Sequence, residues 1–340
     1  MSTQPATPPS GPQTGCLVCG EAATKPWTGR HWHIPGRDRQ FTYVACARCG
    51  SLSCAPVPTE AELAYYYGTH FDYGWYRQRA SLKKIQAKAR WRRAGRILKN
   101  YGASKGRLLD IGCGHGHFVN SAKRDGWEAW GVDFASDATA YGRETLKLKI
   151  VEGTLGTAVR SGQLPARTFD FITAWHCAEH VSEQREFFDL IAGLLAPGGL
   201  LLIAVPNAEA TGMKSRREEW TWCQQPYLHV VHYTARGLTA AVAQSGLTVA
   251  ATWSRDTWDG NWLSDEVFGD APKVVAKQLA KLHWRLGFGF EEGVRLACYA
   301  IGGIRHWAFG LEGRGLDRAE LSLLASSPPH AAANQPEGKS

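Results

Sequence analysis

Four cysteines fall in two pairs, Cys16-Leu-Val-Cys19 and Cys46-Ala-Arg-Cys49, with 26 residues between them and a glycine (Gly20, Gly50) directly after each pair. A CxxC turn sets two thiolates on one side of a tetrahedron. The trailing glycine lets backbone N–H groups approach the sulfurs. Cys16, Cys19, Cys46 and Cys49 therefore form the donor set of a structural Zn2+ site, and four thiolates leave no open position for a reacting water. Four unrelated thiols are the plain alternative. Such a site would staple a segment too short to bury a core of its own. His31 and His33, between the pairs, read as surface residues, and Cys54 as a spare thiol.

A second constellation is Leu108-Leu109-Asp110-Ile111-Gly112-Cys113-Gly114-His115-Gly116, which follows an apolar run and opens a helical one. Glycines at 112, 114 and 116 permit a sharp turn and let a ligand lie against bare main chain. The helix N-terminus beyond them favours an anionic group. Asp133 ends the next strand, 21 residues past Gly112, where its carboxylate can accept from two ribose hydroxyls. No Lys-Ser/Thr pair follows, so the loop is not a P-loop. A nicotinamide enzyme would show GxGxxG without the leading acid. A purely structural glycine turn is the remaining alternative.

A third group is His176-Cys177-Ala178-Glu179-His180. In isolation it matches the inverted zinc-protease pattern, in which His176 and His180 face one metal and the glutamate is the base. Here it ends an apolar strand rather than lying on a helix, and no third ligand is evident nearby. Further histidines, His229 and His232, lie in the segment 226–234.

These groups need elements to hold them. Residues 1–15 and 327–340 read as Pro-rich tails, 16–57 as a zinc-ribbon-like module, and 58–105 as a helical linker or lid. Residues 106–326 form the main domain, with a helical insertion at about 263–312. Thr59 with Glu62 three residues on predicts a capped helix start. Residues 77–99 carry ten Lys/Arg and no acid, while Trp91, Ala94, Leu98 and Tyr101 recur at helical spacing. That predicts an amphipathic helix with a solvated basic face; a grip on nucleic acid or anionic membrane is the sharper alternative. From residue 106 onward, short apolar runs (107–111, 128–132, 169–174, 200–205, 247–254, 320–325) alternate with helical segments starting near 117, 136 and 235. A further helix carries Phe187, Leu190, Ile191 and Leu194 on one face. This alternation predicts an α/β fold whose parallel sheet is covered on both sides.

Composition bounds the remaining classes. With 44% hydrophobic and 21% charged residues among 340, the chain is not disordered overall. The net charge of +8 suits an anionic partner without identifying one. No apolar run reaches spanning length, the N-terminus lacks a signal-peptide pattern, and nine cysteines are odd in number. Reduced thiols and a cytoplasmic location are therefore expected.

The run Asp110-x-Gly112-x-Gly114-x-Gly116, with Asp133 closing the second strand, resembles the class I S-adenosylmethionine-dependent methyltransferases. The likeness extends over residues 16–326. It takes in 169–181, the turn Pro197-Gly198-Gly199, the segment 226–234 and the last strand, and it includes a subgroup carrying a paired-CxxC zinc module. The resemblance implies a Rossmann-like seven-stranded sheet and S-adenosylmethionine as cosubstrate. It implies that Asp110 orients the loop and the methionine amine, that Gly112, Cys113, Gly114 and Gly116 pack on the ligand, and that Asp133, followed by Phe134, takes the ribose. Thr154 and Leu155 would meet adenine, and Tyr73 and Tyr76 would belong to a lid. Trp175 and His176 would lie beside the cofactor, with Glu179 and His180 at the acceptor mouth. His229 is the first candidate base, with His180 and His232 as alternates, and each has a structural reading too. Leu228 stands where some sugar C-methyltransferases carry a glutamate.

The implied function is methyl transfer to a small-molecule acceptor, a sugar, glycolipid or other biosynthetic intermediate. Trp220, Trp222, Trp253 and Trp258 would line the acceptor side. RNA or protein methylation through the zinc module and basic helix is the second reading, although a nucleic-acid partner is not expected. A non-catalytic zinc-stabilised binding protein is the third. The aromatic stretch 286–311 either covers the acceptor pocket or touches the inner face of a membrane peripherally, which would suit a lipid-linked or glycan acceptor.

Overall fold

The computed structural model describes residues 15–70, 80–210, 213–214, 217–220, 223–255 and 320–328. Tyr73, Tyr76, Trp222, Trp258, the insertion at 263–312 and most of both tails lie outside the described residues.

Largely apolar runs become strands, the central ones buried on both faces and those at the sheet's edges partly exposed. They assemble as β5 (Arg107–Ile111), β6 (Glu128–Asp133), β7 (Lys149–Glu152), β8 (Phe169–Trp175), β9 (Leu195–Pro206), β11 (Thr248–Arg255) and β12 (Glu320–Ser326). Their order in the sheet is β11-β12-β9-β8-β5-β6-β7. β5 to β9 run parallel, and β12 inserts antiparallel between β9 and β11.

Successive side chains point to opposite faces, so each strand feeds two cores. Leu109, Ile172 and Ile203 meet Phe187, Phe188 and Ile191 of helix Gln184–Leu194 and Leu238 and Val242 of helix Ala235–Gln244. Leu108, Phe171 and Leu202 meet Trp91, Ala94 and Leu98 of helix Ala80–Asn100 and Phe118 and Val119 of helix His117–Arg124. The result is a Rossmann-like seven-stranded sheet with helices on both faces.

β9 starts at Leu195, earlier than the Pro-Gly-Gly turn suggests: Leu195 pairs with Phe169, and Gly198, at φ 76°, lies inside the strand. Helix Glu60–Thr69 begins with the expected capping box, Glu62 N–H donating to Thr59 Oγ1 (3.2 Å) and Thr59 N–H to Glu62 Oε2 (2.7 Å). Tyr101 departs from expectation. The basic helix ends at Asn100, so the ring falls past its apolar stripe and is 48% exposed. Arg93 departs in the other direction, turning inward from the cationic run to pair with Glu320 Oε1 (2.6 Å) and Ser322 Oγ (2.6 Å).

The cysteine segment forms a second, smaller sheet from β1 (Thr24–Pro26), β2 (Trp32–His33), β3 (Gln40–Cys46) and β4 (Leu52–Ala55). Its far edge is a two-residue strand, β10 (Val231–His232), from beyond β9; it pairs antiparallel with β4. Ile34, Phe41 and Tyr43 share one continuous core with Tyr227, Val230 and Val231. The small sheet therefore holds the histidine-bearing segment from behind.

Candidate active site

The four cysteines converge. Cys16 and Cys49 Sγ lie 3.7 Å apart, Cys19 and Cys46 Sγ 3.6 Å apart, and all four sulfurs lie within 4.8 Å of one another. A tetrahedral ion with Zn–S bonds of about 2.3 Å needs sulfur–sulfur edges of about 3.8 Å. Gly20 (φ 72°) and Gly50 (φ 75°) take the left-handed conformation that closes each knuckle, and Cys49 N–H donates to Cys46 Sγ at 3.3 Å. The hydrogen bond with Cys16 holds the Cys49 thiol down at about 4, while that same bond and burial push Cys16 up. A buried pair that shares its charge this way is chemically suited to a cation. The donor set fits Zn2+.

The second site is the crevice between the loops after β5 and β8. From β5 the chain winds outward through β6 and β7, then returns to β8 on the other side, so these two loops diverge at the switch point where open α/β sheets bind ligands. Its three glycines have different jobs. A Cβ on Gly112 (φ 72°) would meet Cys177 at 3.0 Å, and one on Gly116 (φ 75°) would meet Leu148 and Ile150 at 2.7 and 2.8 Å. Gly114 (φ 52°) has nothing within 4 Å of that position. It is the bare peptide of the loop, and the other two let the loop pack.

Asp133 at the end of β6 accepts from Gly114 N–H (2.7 Å) on one oxygen and from Ala135 N–H (2.9 Å) on the other. Each oxygen keeps a lone pair for a further donor. Asp110 is 3% exposed and accepts from Thr173 Oγ1 (2.7 Å); burial raises its carboxyl to about 7. Cys113 packs towards Gly131, where a Cβ would come within 2.6 Å of its sulfur. Phe134 is 51% exposed beside the crevice, its ring meeting Tyr67 edge-on at 5.1 Å. Thr154 caps helix Leu155–Arg160 by accepting from Thr157 N–H (3.2 Å), and Leu155 is buried in the core. Trp175 is buried in the core shared with Trp91, the Arg93 guanidinium 4.8 Å from its ring.

Just after β8, His176 takes a left-handed backbone (φ 51°) unusual for a residue with a side chain. Its Nε2 lies 3.1 Å from Glu320 Oε2 and its Nδ1 3.5 Å from Glu179 Oε1. Burial opposes its charge, but the two carboxylates prevail and raise it to about 9. Ala178–His180 is a short 3-10 turn, so His176 and His180 do not share a helical face and the protease pattern does not form. His180 instead meets His229, ring centroids 4.8 Å apart, and its Nδ1 donates to Leu228 O (2.9 Å).

His232 is fully buried behind them. Tyr43 O–H donates to His229 O (2.8 Å) and so accepts from His232 Nε2–H (3.1 Å). Trp220 lies beside His232 (6.2 Å) and Trp253 beside Arg93 (5.9 Å). Sequence reasoning missed Tyr43, Arg93 and Glu320. Only Glu320, an acid opening an apolar strand, offered a signal.

A doubly wound sheet with a glycine loop and an acid ending the next strand at its switch point defines a ligand-binding Rossmann-like α/β domain. A family model described as a methyltransferase domain matches residues 82–252, half of the chain, and the protein belongs to that family. The ubiquinone biosynthesis O-methyltransferase of a Caulobacter strain is 33% identical over 134 residues, 38% of this chain and 51% of the relative. That of Nitrobacter winogradskyi is 35% identical over 102 residues, 30% of this chain and 39% of the relative. The chain thus spans about half or less of the curated relatives it matches. A SAM-dependent methyltransferase from Archaeoglobus fulgidus covers 74% of this chain and 99% of its own, at 18% identity and a TM-score of 0.48.

Proposed function

We propose that this protein transfers a methyl group from S-adenosylmethionine to a hydroxyl-bearing small-molecule acceptor, a sugar, glycolipid or other biosynthetic intermediate. The observation that carries the reading is the bare Gly114 peptide beside the twice-bonded Asp133 carboxylate at the switch point. When bound, the sulfonium supplies an electrophilic methyl carbon. The chain's part is to align and desolvate the reactants, which is worth on the order of 7–11 kcal/mol in well-oriented cases.

Asp133 would take the ribose hydroxyls, with Phe134 beside the adenosyl group. Asp110 would face the methionine amine. The Glu179–His180–His229 group would handle the acceptor's proton. We assign Zn2+ to the four cysteines in a structural role and the protein to the cytoplasm, with a lipid-linked or glycan acceptor met at the inner membrane face. Among the described residues no helix is long and apolar enough to cross a membrane.

The test is labelled methyl transfer into fractionated cell extract by the wild type, Asp133→Ala and His229→Ala. Asp133→Ala is expected to weaken cosubstrate binding and His229→Ala to abolish transfer while binding persists. Full activity in both would sink the site assignment. Calorimetry showing no S-adenosylmethionine binding at all would leave only a binding protein, and a salt-dependent RNA complex would favour a nucleic-acid substrate.

The Asp110 carboxyl gives a signed pH effect. Raised to about 7 by burial, it is neutral below that pH and anionic above it. Attraction for a cationic amine is therefore present above about pH 7 and lost as pH falls. Affinity for S-adenosylmethionine should drop about tenfold from pH ~8 to ~6. Asp110→Asn should bind weakly at both pH values, and a flat wild-type profile would contradict the assignment.

A further inference from the structure

Glu179 is 1% exposed, and its Oε2 is buried without a hydrogen-bond partner. Leaving such an oxygen unsatisfied costs about 1–3 kcal/mol, more when the group is charged. Its other oxygen lies 3.5 Å from His176 Nδ1 and 3.9 Å from His180 Nε2. His176 is already committed to Glu320 through Nε2. The side chains that can complete Glu179 are therefore His180 and His229.

Their geometry is informative. Leu228 O, 2.9 Å from His180 Nδ1, can only accept, so Nδ1 carries a proton, and in the neutral ring Nε2 has its lone pair 3.9 Å from Glu179 Oε1. An imidazole fixed in this tautomer by a backbone carbonyl is oriented as metal-ligating histidines are. His229 stands against it at a 4.8 Å ring separation, and its backbone carbonyl is held in turn by Tyr43. One ligand atom from each of Glu179, His180 and His229 lies within 4.8 Å of the others. A four-coordinate ion with bonds of about 2.0–2.1 Å needs ligand atoms about 3.3 Å apart. Small side-chain rotations close that gap, because His180 and His229 are only half-buried.

We infer that Glu179, His180 and His229 bind a divalent transition-metal cation, at a site distinct from the four-cysteine cluster. Two imidazoles and one carboxylate suit Zn2+, Co2+ or Fe2+ and are a poor match for Ca2+. Three protein ligands leave at least one position open. That position would take an oxygen of the acceptor, and this role alone rests on the methyl-transfer reading. It narrows the acceptor to a compound with a metal-binding oxygen, such as a phenol, an enol or a pair of neighbouring hydroxyls. The two imidazoles then serve as ligands, so loss of either would remove the acceptor's anchor and not only a base.

The test uses the full-length protein loaded with Co2+. Thiolate-bound Co2+ gives intense charge-transfer absorption, and Co2+ on nitrogen and oxygen gives only weaker bands. We expect two equivalents per chain, one of each type. The double variant His180→Ala/His229→Ala should keep the thiolate bands and lose the second equivalent. Glu179→Gln should weaken the second equivalent by about tenfold or more, with the thiolate bands reporting that the module remains folded. One equivalent in the wild type, or a second that survives the double variant, would overturn the site. Two equivalents with no methyl transfer under any condition would leave the site standing and refute the function instead.

Discussion

With Zn2+ assigned to the four-cysteine cluster as proposed, its removal by chelation or by Cys49→Ser should abolish the proposed transfer to the acceptor while leaving S-adenosylmethionine binding within about threefold. Structural zinc contributes on the order of 10 kcal/mol in small modules, comparable to the 5–15 kcal/mol total of a typical domain. The small sheet has strands of only two to seven residues, and its packing on Tyr227, Val230 and Val231 requires that those strands stay formed. Its collapse would not stay local. β4 pairs with β10, and Tyr43 inside the module bonds both the His229 carbonyl and the His232 ring. Unfolding the module therefore frees the histidine segment. The glycine loop sits instead on β5 and β6, whose neighbours are β8 and β7. Isothermal titration with cosubstrate, set beside an acceptor assay, separates the two effects. Undiminished turnover in a protein shown to be metal-free would mean that the module does not support the acceptor wall.

What the sequence made legible follows from the range of the forces involved. The strands around Leu109, Ile172 and Ile203 are largely apolar runs buried on two faces, and Thr59 with Glu62 marks a helix start by local hydrogen bonding, whereas the six-residue helix Leu155–Arg160 is too short to show a periodicity. Each cysteine pair needs only a short turn, so spacing predicts the two knuckles, while the small sheet brings Cys16 to Cys49 and Cys19 to Cys46. The glycine loop is legible as a loop, yet the sequence does not separate Gly114 from its two neighbours, because the difference lies in what Cys177, Leu148 and Ile150 occupy. Of the long-range polar choices, Glu320 alone left a trace, as an acid opening an apolar strand. Nothing in a run of ten cations marks Arg93 as the one that turns inward, since its partner stands 227 residues away. β10 is too short to show any periodicity, and its pairing with β4 decides where His229 and His232 sit. The family resemblance puts His176 beside the cofactor, while its left-handed backbone and its tie to Glu320 are products of tertiary contact.

Breaking the Arg93–Glu320 pair should cost about 3–5 kcal/mol of stability, the range for stranding one partner of a buried ion pair. Both side chains are under a tenth exposed, and Arg93 also bonds Ser322 and lies over Trp175. Glu320→Ala strands the Arg93 guanidinium, and Arg93→Ala takes the nearest cation from Glu320 while His176 stays beside it, so urea midpoints should fall in both. The double replacement Arg93→Met/Glu320→Leu removes both charges and should lose much less than the sum of the single effects. Glu320→Gln isolates the consequence for His176. With one of its two carboxylates gone, the imidazole should titrate well below its present value of about 9. Because folding raises this histidine, the stability it supplies is complete below its unfolded pKa of about 6.5 and disappears as pH climbs through about 9. In Glu320→Gln that loss should start at the same unfolded pKa but end at lower pH, and be smaller in total. Proton NMR titration of the His176 ring, with urea unfolding at pH ~6 and ~9, reads both shifts. An unmoved titration would mean that Glu179 alone holds the charge, and that Arg93 and Glu320 brace the β12 edge without bearing on the acceptor side.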